Sequence, residues 1–432
     1  MIAAAVMARR GHEAWFFTDN EPVFAADLAI VCPDNPVRVA VDKGFRFAAG
    51  SRFDWVLVAP QMGERPEVYR NAIRFAREAG ARLALINYET PNWFNAYAPH
   101  TRDPANWNDW LLIAEHGALV LCSAEESLRH ARTFYAGRHP DLAMAVWSPA
   151  INSVALDAAK AREGGGFARA RRIVVFARPG QAHKGGDALL ALLHPALEGY
   201  TLAPMVGASG GAARFLDDLR RKAEPCGIAI EPHYSLSDVA KFRLLRSSAA
   251  VVFPSYFEGY GYPPIEALAC DTPCVAFDLP VLRETCGDLI GYAPQGDVSA
   301  LRTRLVEALA AGPQPTSERP EVVERVDVDR RAADLEATLA APLRRRPSSF
   351  PASAAVADAA YLPLADGGGV AILTVSTSSA LSADPAGPRV HPLAAGPDGA
   401  RAVVVLPLEG NDPLAALHAA NPVLRIGERR AR

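Results

Sequence analysis

Short, continuous runs of apolar residues recur along most of the chain. Runs rich in Val, Ile and Leu, without a polar residue at every second position, are typical of strands buried on both faces of a parallel sheet. Helical patterns separate these runs, so the predicted fold class is α/β in each of two halves. The runs that predict strands are EAWFF, DLAIVC, DWVLVAP, RLALINY and ALVLCS, followed by RRIVVFA, YTLAPMVG, GIAIEP, AAVVFP and PCVAF.

Two of the intervening segments carry clear helix signals. PEVYRNAIRFAREAGAR places apolar residues at helical spacing, and SAEESLRHARTFY opens with Ser123 and Glu126 at the spacing of a capping box. The first segment also carries Arg70, Arg74 and Arg77. We interpret these arginines as a solvated face, and the alternative is a weak peripheral contact with an anionic membrane surface.

Changes in composition divide the chain into parts. The segment AKAREGGGFARARR, residues 159–172, is rich in glycine and charge and is interpreted as an exposed linker, with a domain boundary near residue 155. After residue 342 the chain is rich in Pro, Ala, Ser and Gly, and then carries the strand-like runs VAILTVSTS and ARAVVVLPL. We therefore predict domains over residues 1–155 and 156–325, a helix over 326–342, and an extension over 343–432 that is either a small β-rich appendage or a truncated domain.

Charge argues against a nucleic-acid partner. Among the 432 residues, 45 Lys and Arg nearly balance 48 Asp and Glu, and the formal net charge of −3 gives no basic footprint. The chain is 50% apolar, which is enough for a core in each half. No apolar run is long enough to span a bilayer.

The six cysteines favour a reducing cytoplasm, with peripheral attachment at the inner membrane face as the alternative. They are scattered in apolar surroundings, without the dense spacing of a secreted disulfide framework. Cys270 and Cys274 lie close together in CDTPC, but no second Cys or His pair with zinc spacing accompanies them. We therefore expect no metal site and interpret both as buried apolar residues.

The segment FPSYFEGYGYPPIEAL, residues 253–268, carries the candidate chemistry. Its strand, glycine-containing loop and helix start lie where open α/β sheets bind ligands, beyond the carboxyl ends of their strands. Glu258 falls in the loop and Glu266 in the helix, so each carboxylate can accept paired hydrogen bonds from vicinal hydroxyls of a sugar or a ribose. For Glu266 an alternative interpretation stays open, because an acid in the first turn of a helix complements the helix dipole without a ligand.

Two blocks resemble a known family. PSYFEGYGYPPIEALACDTPCVAFDLPVLRET, which includes Glu284, resembles the nucleotide-binding core of the retaining GT-B glycosyltransferases typified by sucrose, glycogen and phosphatidylinositol-mannoside synthases. RRIVVFARPGQAHKGGDALLALL resembles the same family's strand, arginine-containing loop and KG helix start. The resemblance covers residues 1–341.

The resemblance implies a GT-B architecture, with two Rossmann-like domains facing each other across a cleft. The first would be the acceptor domain and the second the nucleotide-sugar donor domain, and the helix over 326–342 would cross back to the first. The implied activity is retaining, metal-independent transfer from a nucleoside diphosphate sugar to a hydroxyl of a glycan, lipid or small molecule. The resemblance implies no cofactor, because the nucleotide sugar is a substrate.

The same resemblance assigns roles to particular residues. Arg178 and Lys184 would hold the donor diphosphate, Glu258 would position the donor sugar, and Glu266 would bind the nucleotide ribose. A forked guanidinium and an ammonium stabilise charge on a leaving diphosphate, which makes a metal unnecessary. The remaining predicted contacts line the leaving-group pocket through their backbone: Gly259, Tyr260, Gly261 and Tyr262.

The chain departs from the family pattern in the segment YETPNW. Many members have a histidine that touches the donor sugar here, whereas this chain has Glu89. We expect Glu89 to take over the contact, with His100 as a candidate for the missing imidazole. Two other activities stay open, a GT-B sugar-nucleotide epimerase and a catalytically silent donor-binding protein. The nearby tryptophans either stack on an acceptor or pack in the core: Trp93, Trp107 and Trp110.

The amino-terminal sequence MIAAAVMARRGHEAWFFTD matches the family's first helix and second strand. The family's first strand and its glycine turn have no counterpart in it. We therefore expect the natural chain to carry ~15 to 30 further residues upstream, and the first half to be marginally stable without them. The second half, with the predicted donor site, should still fold and bind nucleotide.

Overall fold

A computed structural model describes most of the chain. The described residues are 2–20, 22, 25–42, 44–46, 50–61, 64–136, 142–161, 169–207 and 211–341, together with the backbone of five strands between residues 355 and 426.

The described residues of the first half form six strands in two separate parallel sheets. Among these residues, strands β1 and β2 pair only with each other, while the other sheet has the order β3-β4-β5-β6. The elements, in chain order, are α1 (Ile2–Arg9), β1 (Trp15–Phe17), α2 (Ala25–Val31), β2 (Arg38–Ala40), β3 (Trp55–Val58), α3 (Pro66–Ala79), β4 (Arg82–Asn87), α4 (Pro91–Tyr97), α5 (Asn108–Glu115), β5 (Leu119–Cys122), α6 (Glu125–Ala136) and β6 (Met144–Val146).

The second half is built on one parallel sheet of seven strands. Its order is β10-β8-β7-β11-β12-β13, and β9 pairs with β8. The elements are α7 (Ser153–Ala161), β7 (Ala170–Ala177), α8 (Gly186–Leu192), β8 (Thr201–Val206), α9 (Ala212–Ala223), β9 (Ala229–Ile230), β10 (His233–Tyr234), α10 (Asp238–Arg246), β11 (Ser248–Phe253), α11 (Tyr262–Ala269), β12 (Cys274–Phe277), α12 (Pro280–Cys286), β13 (Gly291–Ala293), α13 (Val298–Ala311), α14 (Pro320–Val326) and α15 (Val328–Ala340).

Beyond α15, the described strands form a third, mainly antiparallel sheet of order β16-β17-β15-β14-β18. Only the short pairing of β14 with β18 is parallel. The strands are β14 (Ala355–Pro363), β15 (Gly369–Thr377), β16 (Arg389–Gly396), β17 (Gly399–Leu408) and β18 (Arg425–Ile426).

The α/β prediction is confirmed, and one predicted strand is wrong. The run DLAIVC lies in α2, which packs against α1 and α7. Periodicity cannot distinguish a short buried helix from a buried strand when the apolar run is this short. The predicted linker is also shorter than expected, because α7 continues to Ala161 and β7 begins at Ala170. Residues 162–168 of that linker lie outside the described residues.

Helix α15 returns to the first half and packs along α1. Arg9 of α1 forms a two-pronged ion pair with Asp329, and Glu336 accepts from both Arg10 and His12. In the same region, apolar residues of α1 and α15 share a core with β4 and β5. This contact fixes the position of α1 on one face of the first-half sheet.

The core also contains the three tryptophans that the sequence left open as an acceptor surface, and nearly all the cysteines. Trp93, Trp107 and Trp110 are at most 2% exposed, so they pack in the core and do not offer a stacking surface. None of the six cysteines, all of which lie in the described residues, forms a disulfide, and all but Cys226 are buried. Burial raises the pKa of the Cys122 thiol to about 12 and that of Cys274 well above its usual range. Across the described residues, every helix is too short or too polar to cross a membrane.

Candidate active site

The loop that joins β11 to α11 carries Glu258, and its glycines are required by packing. A Cβ atom on Gly259 would lie 2.4 Å from the carbonyl oxygen of Tyr88 in the first half. Gly261 has a φ of 89°, and a Cβ there would lie 2.3 Å from a methyl of Leu282. The loop therefore sits against the first half at a distance that only glycine permits.

A second glycine contact brings the KG segment to this loop. Gly185 has a φ of 72°, and a Cβ atom would lie only 1.8 Å from the carbonyl oxygen of Pro254. The neighbouring Lys184 then reaches Glu258, with 2.8 Å between Nζ and Oε1. The two residues are 74 positions apart in the sequence, and their side chains are 21% and 11% exposed. Two predicted site residues from separate blocks are thus in direct contact.

Glu89 lies at the same place, on the first-half side of the cleft. Its Oε1 accepts a hydrogen bond from Arg102 at 3.2 Å. Burial raises the pKa of Glu89, the charges of Arg102 and Lys184 act against that rise, and Glu258 adds to it. Glu89, Arg102, Lys184 and Glu258 therefore form one electrostatic cluster of two carboxylates and two cations.

Arg178 directly follows β7, and its side chain is exposed. Within the described part of the chain, it makes no direct contact with Lys184 or Glu258. It lies beside Gly207, the residue after β8. Its charge contributes to lowering the pKa of His183, which places it near the cluster. The structure thus leaves the guanidinium open to solvent at the carboxyl edge of the sheet.

Glu266 lies in the second turn of α11 and is 6% exposed. Its Oε1 is 2.7 Å from the Nζ of Lys241, which also contacts Asp238 at 2.8 Å. Burial lowers the pKa of Lys241, but the carboxylates of Glu266 and Asp238 more than offset it, so the net pKa is raised. Because Glu266 lies beyond the first turn and is paired with a lysine, the helix dipole alone does not account for it.

Sequence reasoning missed Lys241 and a buried histidine, His183. Lys241 stands in no motif and is 25 residues from Glu266 in the sequence, whereas His183 directly precedes Lys184 in the block with the KG helix start. His183 is 5% exposed, and its ring packs between Phe94 and Phe257. Burial, together with the nearby charge of Lys184, lowers its pKa to about 3, so the imidazole is neutral.

His100 and the two tyrosines of the loop are placed differently from the carboxylates. His100 is exposed, and its ring centre lies 6.4 Å from that of His183. Tyr260 is 4% exposed, and its ring packs against that of Tyr262, with 5.3 Å between the ring centroids. The predicted backbone contact of Tyr260 with a leaving group stays a prediction.

Two side chains hold the halves together beside the loop. Ser123 Oγ donates to the carbonyl of Gly259 at 2.5 Å. A capping box would direct the N–H of Glu126 to Ser123, but that N–H bonds to Glu284, so the predicted capping role of Ser123 is wrong. Glu284 of the second half accepts from the backbone N–H groups of Glu125 and Glu126 at 2.8 and 3.0 Å. A carboxylate at this position satisfies donors that the start of α6 leaves free and complements its dipole.

Known proteins resemble this part of the chain. Residues 170–311, which include Arg178, Lys184, Glu258, Glu266 and Glu284, match the family Glycosyl transferases group 1. The matched segment is the part of the chain that carries both sequence blocks. The resemblance drawn from the two sequence blocks is therefore confirmed.

The chain also has curated relatives. Over 227 residues the chain is 29% identical to the D-inositol 3-phosphate glycosyltransferase of Streptomyces avermitilis, a match that covers 47% of this chain and 46% of that protein. Over 260 residues it is 28% identical to the enzyme of the same name from Xylanimonas cellulosilytica, covering 55% and 60%. The chain thus spans about half the length of the curated relatives it matches.

Solved structures resemble a larger part of the chain. The sucrose-phosphate synthase of Thermosynechococcus elongatus has a TM-score of 0.57 at 14% identity, over 78% of this chain and 90% of its own. Anabaena HepE in complex with UDP and glucose has a TM-score of 0.55 at 16% identity, over 78% and 95%. At these identities the likeness shows the fold, and it confirms the predicted GT-B architecture.

Proposed function

We propose that this protein transfers a sugar from a nucleoside diphosphate donor to an acceptor hydroxyl, with retention of the anomeric configuration. The observation that carries the proposal is the 2.8 Å contact between Lys184 and Glu258. This contact joins the cation of the KG segment to the carboxylate of the loop after β11, and both lie within the residues that match the group 1 family. HepE, a structural neighbour, has been solved with UDP-glucose, which supports a nucleotide-sugar donor here.

The proposed roles follow from charge and position. In the substrate complex, Lys184 turns from Glu258 to the leaving diphosphate, joined by the exposed guanidinium of Arg178. Their attraction for that group grows as the glycosidic bond breaks, and two positive charges there replace a metal ion. Glu258, freed from its partner, accepts hydrogen bonds from hydroxyls of the donor sugar, and Glu266 accepts those of the ribose.

We propose a front-face path through an oxocarbenium-like transition state. The leaving phosphate takes the proton of the acceptor hydroxyl, so no dedicated protein base is needed. His183 is a weak base because its pKa is lowered to about 3, and Glu89 is already paired with Arg102. Glu89 instead acts as an acceptor for a sugar hydroxyl on the first-half side of the cleft.

The first experiment is a thermal-shift panel of UDP, GDP and ADP, followed by hydrolysis of the corresponding sugar nucleotide. Lys184→Ala should slow the hydrolysis strongly, and Lys222→Ala, on an exposed position of α9, is the matched control. An isomerised sugar nucleotide as the product would identify an epimerase. Nucleotide binding without release of sugar, over an acceptor panel, would indicate a silent donor-binding protein.

A further inference from the structure

The sheet of the first half is split, and a cavity lies at the split. Strand β1 pairs with β2 and strand β3 with β4, and no strand joins β1 to β3 among the described residues. A cavity of about 970 Å³ lies there and is lined by residues of both strands. The aromatic side chains that line it include Trp15, Phe17, Phe53 and Trp55.

The β1 edge of the cavity carries backbone groups that face away from β2. The N–H of Arg38 donates to the carbonyl of Ala14 at 2.9 Å, in register with the parallel pairing of the two strands. Since backbone groups of successive strand residues point to opposite sides, those of Trp15 and Phe17 point into the cavity.

The β3 edge repeats this arrangement. The N–H of Arg82 donates to the carbonyl of Asp54 at 2.9 Å, so the backbone groups of Trp55 and Leu57 point away from β4 and into the cavity. Within the described part of the chain these groups have no recorded partner. Both edges thus present alternating N–H and C=O groups, whose partial charges complement those of an added strand.

Helices close the other two sides. Ala3, Ala4 and Met7 of α1 line the cavity, and α1 packs in the same core as Trp55 and Leu57. On the opposite face α3 contributes Tyr69, Ala72 and Phe75, which share a core with Val56 and Val58. The cavity is therefore a slot between two strands and two helices, an environment typical of a strand that is apolar on both faces.

The size of the slot matches a short strand. With a rise of about 3.3 Å, a strand spacing of about 4.8 Å and a layer thickness of about 10 Å, each residue of a buried strand occupies about 160 Å³. The volume of about 970 Å³ then accommodates about six residues. An acyl chain could fill the same space but would leave the edge N–H and C=O groups unpaired at a cost.

We propose that this slot binds an extended, apolar polypeptide segment of about six residues as a parallel strand between β1 and β3. The segment pairs with Trp15 and Phe17 on one side and with Trp55 and Leu57 on the other. With it in place, the two-stranded and four-stranded sheets become one continuous parallel sheet. The proposal is independent of the donor site, which lies in the second half.

The test uses the full 432-residue chain and the capped peptide KVVILVVK, whose terminal lysines keep it soluble. The control peptide KVVPLVVK has a proline at its centre, which removes a ladder N–H. We expect the first peptide to bind with one-to-one stoichiometry and to slow hydrogen exchange about tenfold or more at the amides of Trp15, Phe17, Trp55 and Leu57. The proline peptide should leave these rates unchanged.

Three results would overturn the proposal. Equal exchange rates with and without KVVILVVK would exclude strand addition. Protection by octyl glucoside but not by the peptide would identify an acyl-chain pocket. A dimer of the chain alone, with the same four amides already protected, would show that a second copy occupies the slot.

Discussion

Replacing Lys241 with methionine should destabilise the second half of the protein. Lys241 is the shared partner of Glu266 and Asp238, at 2.7 and 2.8 Å, and its side chain is 16% exposed. At such a distance and an effective dielectric near 20, each attraction is worth about 6 kcal/mol before desolvation. The change in the free energy of unfolding is smaller than this, because Lys241→Met also removes the cost of desolvating the ammonium.

Removing one partner of a buried ion pair costs about 3 to 5 kcal/mol, since the remaining charge is left uncompensated. Lys241 retains some exposure, and Asp238 keeps a hydrogen bond from Asn152 at 2.9 Å, so we expect the lower end, about 3 kcal/mol. Adding Glu266→Gln removes the uncompensated carboxylate. The double variant should therefore lose about 2 kcal/mol less than the sum of the two single variants.

Urea unfolding can separate the two halves. All six tryptophans precede residue 150, so their fluorescence reports the first half, whereas far-ultraviolet circular dichroism reports both. Lys241→Met should shift the dichroism transition to lower urea more than the fluorescence transition. An unchanged dichroism midpoint, or a double variant as unstable as the sum, would refute the buried-pair reasoning.

The remaining predictions concern turnover, ligand roles and acid stability. Lys184→Ala should raise the activation free energy that corresponds to kcat/KM by about 2 to 4 kcal/mol, and wild-type turnover would remove Lys184 from the site. By calorimetry, Glu266→Gln should weaken nucleoside diphosphate binding and Glu258→Gln should not, although it cuts turnover; equal losses would contradict the assignment. Burial alone would raise the pKa of Glu126, but the hydrogen bonds and charges of His130 and Arg129 outweigh burial and lower the pKa from the usual 4.5 to about 2. The ionised Glu126 stabilises the fold above pH 4.5, and this stabilisation is lost as the pH falls towards 2. In Glu126→Gln the melting temperature should therefore depend less on pH between these two values. Activity should persist in EDTA, and its loss would show a required metal.

The sequence predicted the parts of the fold that depend on local pattern. Buried parallel strands are continuous apolar runs, and most of the runs are strands in the structure. The strand prediction for DLAIVC was wrong because its five consecutive apolar residues fit a helix as well as a strand. The packing against α1 and α7 favours the helix. Motif spacing likewise located Glu258 and Lys184, since each block carries its own strand, loop and helix start.

Local sequence patterns could not predict contacts between residues that are far apart in the sequence. Glu284 lies where the family pattern has it, but its bonds to the start of α6 span 158 and 159 positions and follow from how the halves meet. The local capping-box spacing predicted Ser123 for that role, and the tertiary contact with Gly259 prevailed. Lys241 gives no signal either, because a lysine on an amphipathic helix is ordinarily a solvated residue.

Two buried cysteines can report how often each half of the protein opens. Cys122 lies in β5 of the first half and Cys274 in β12 of the second, and both are at most 2% exposed. A thiol reagent needs an accessible thiolate, so modification of either cysteine must wait for its own sheet to open. Mass spectrometry of the two modified peptides over time would then rank the opening free energies of the halves. If the split sheet is the weaker one, the reagent will reach Cys122 first.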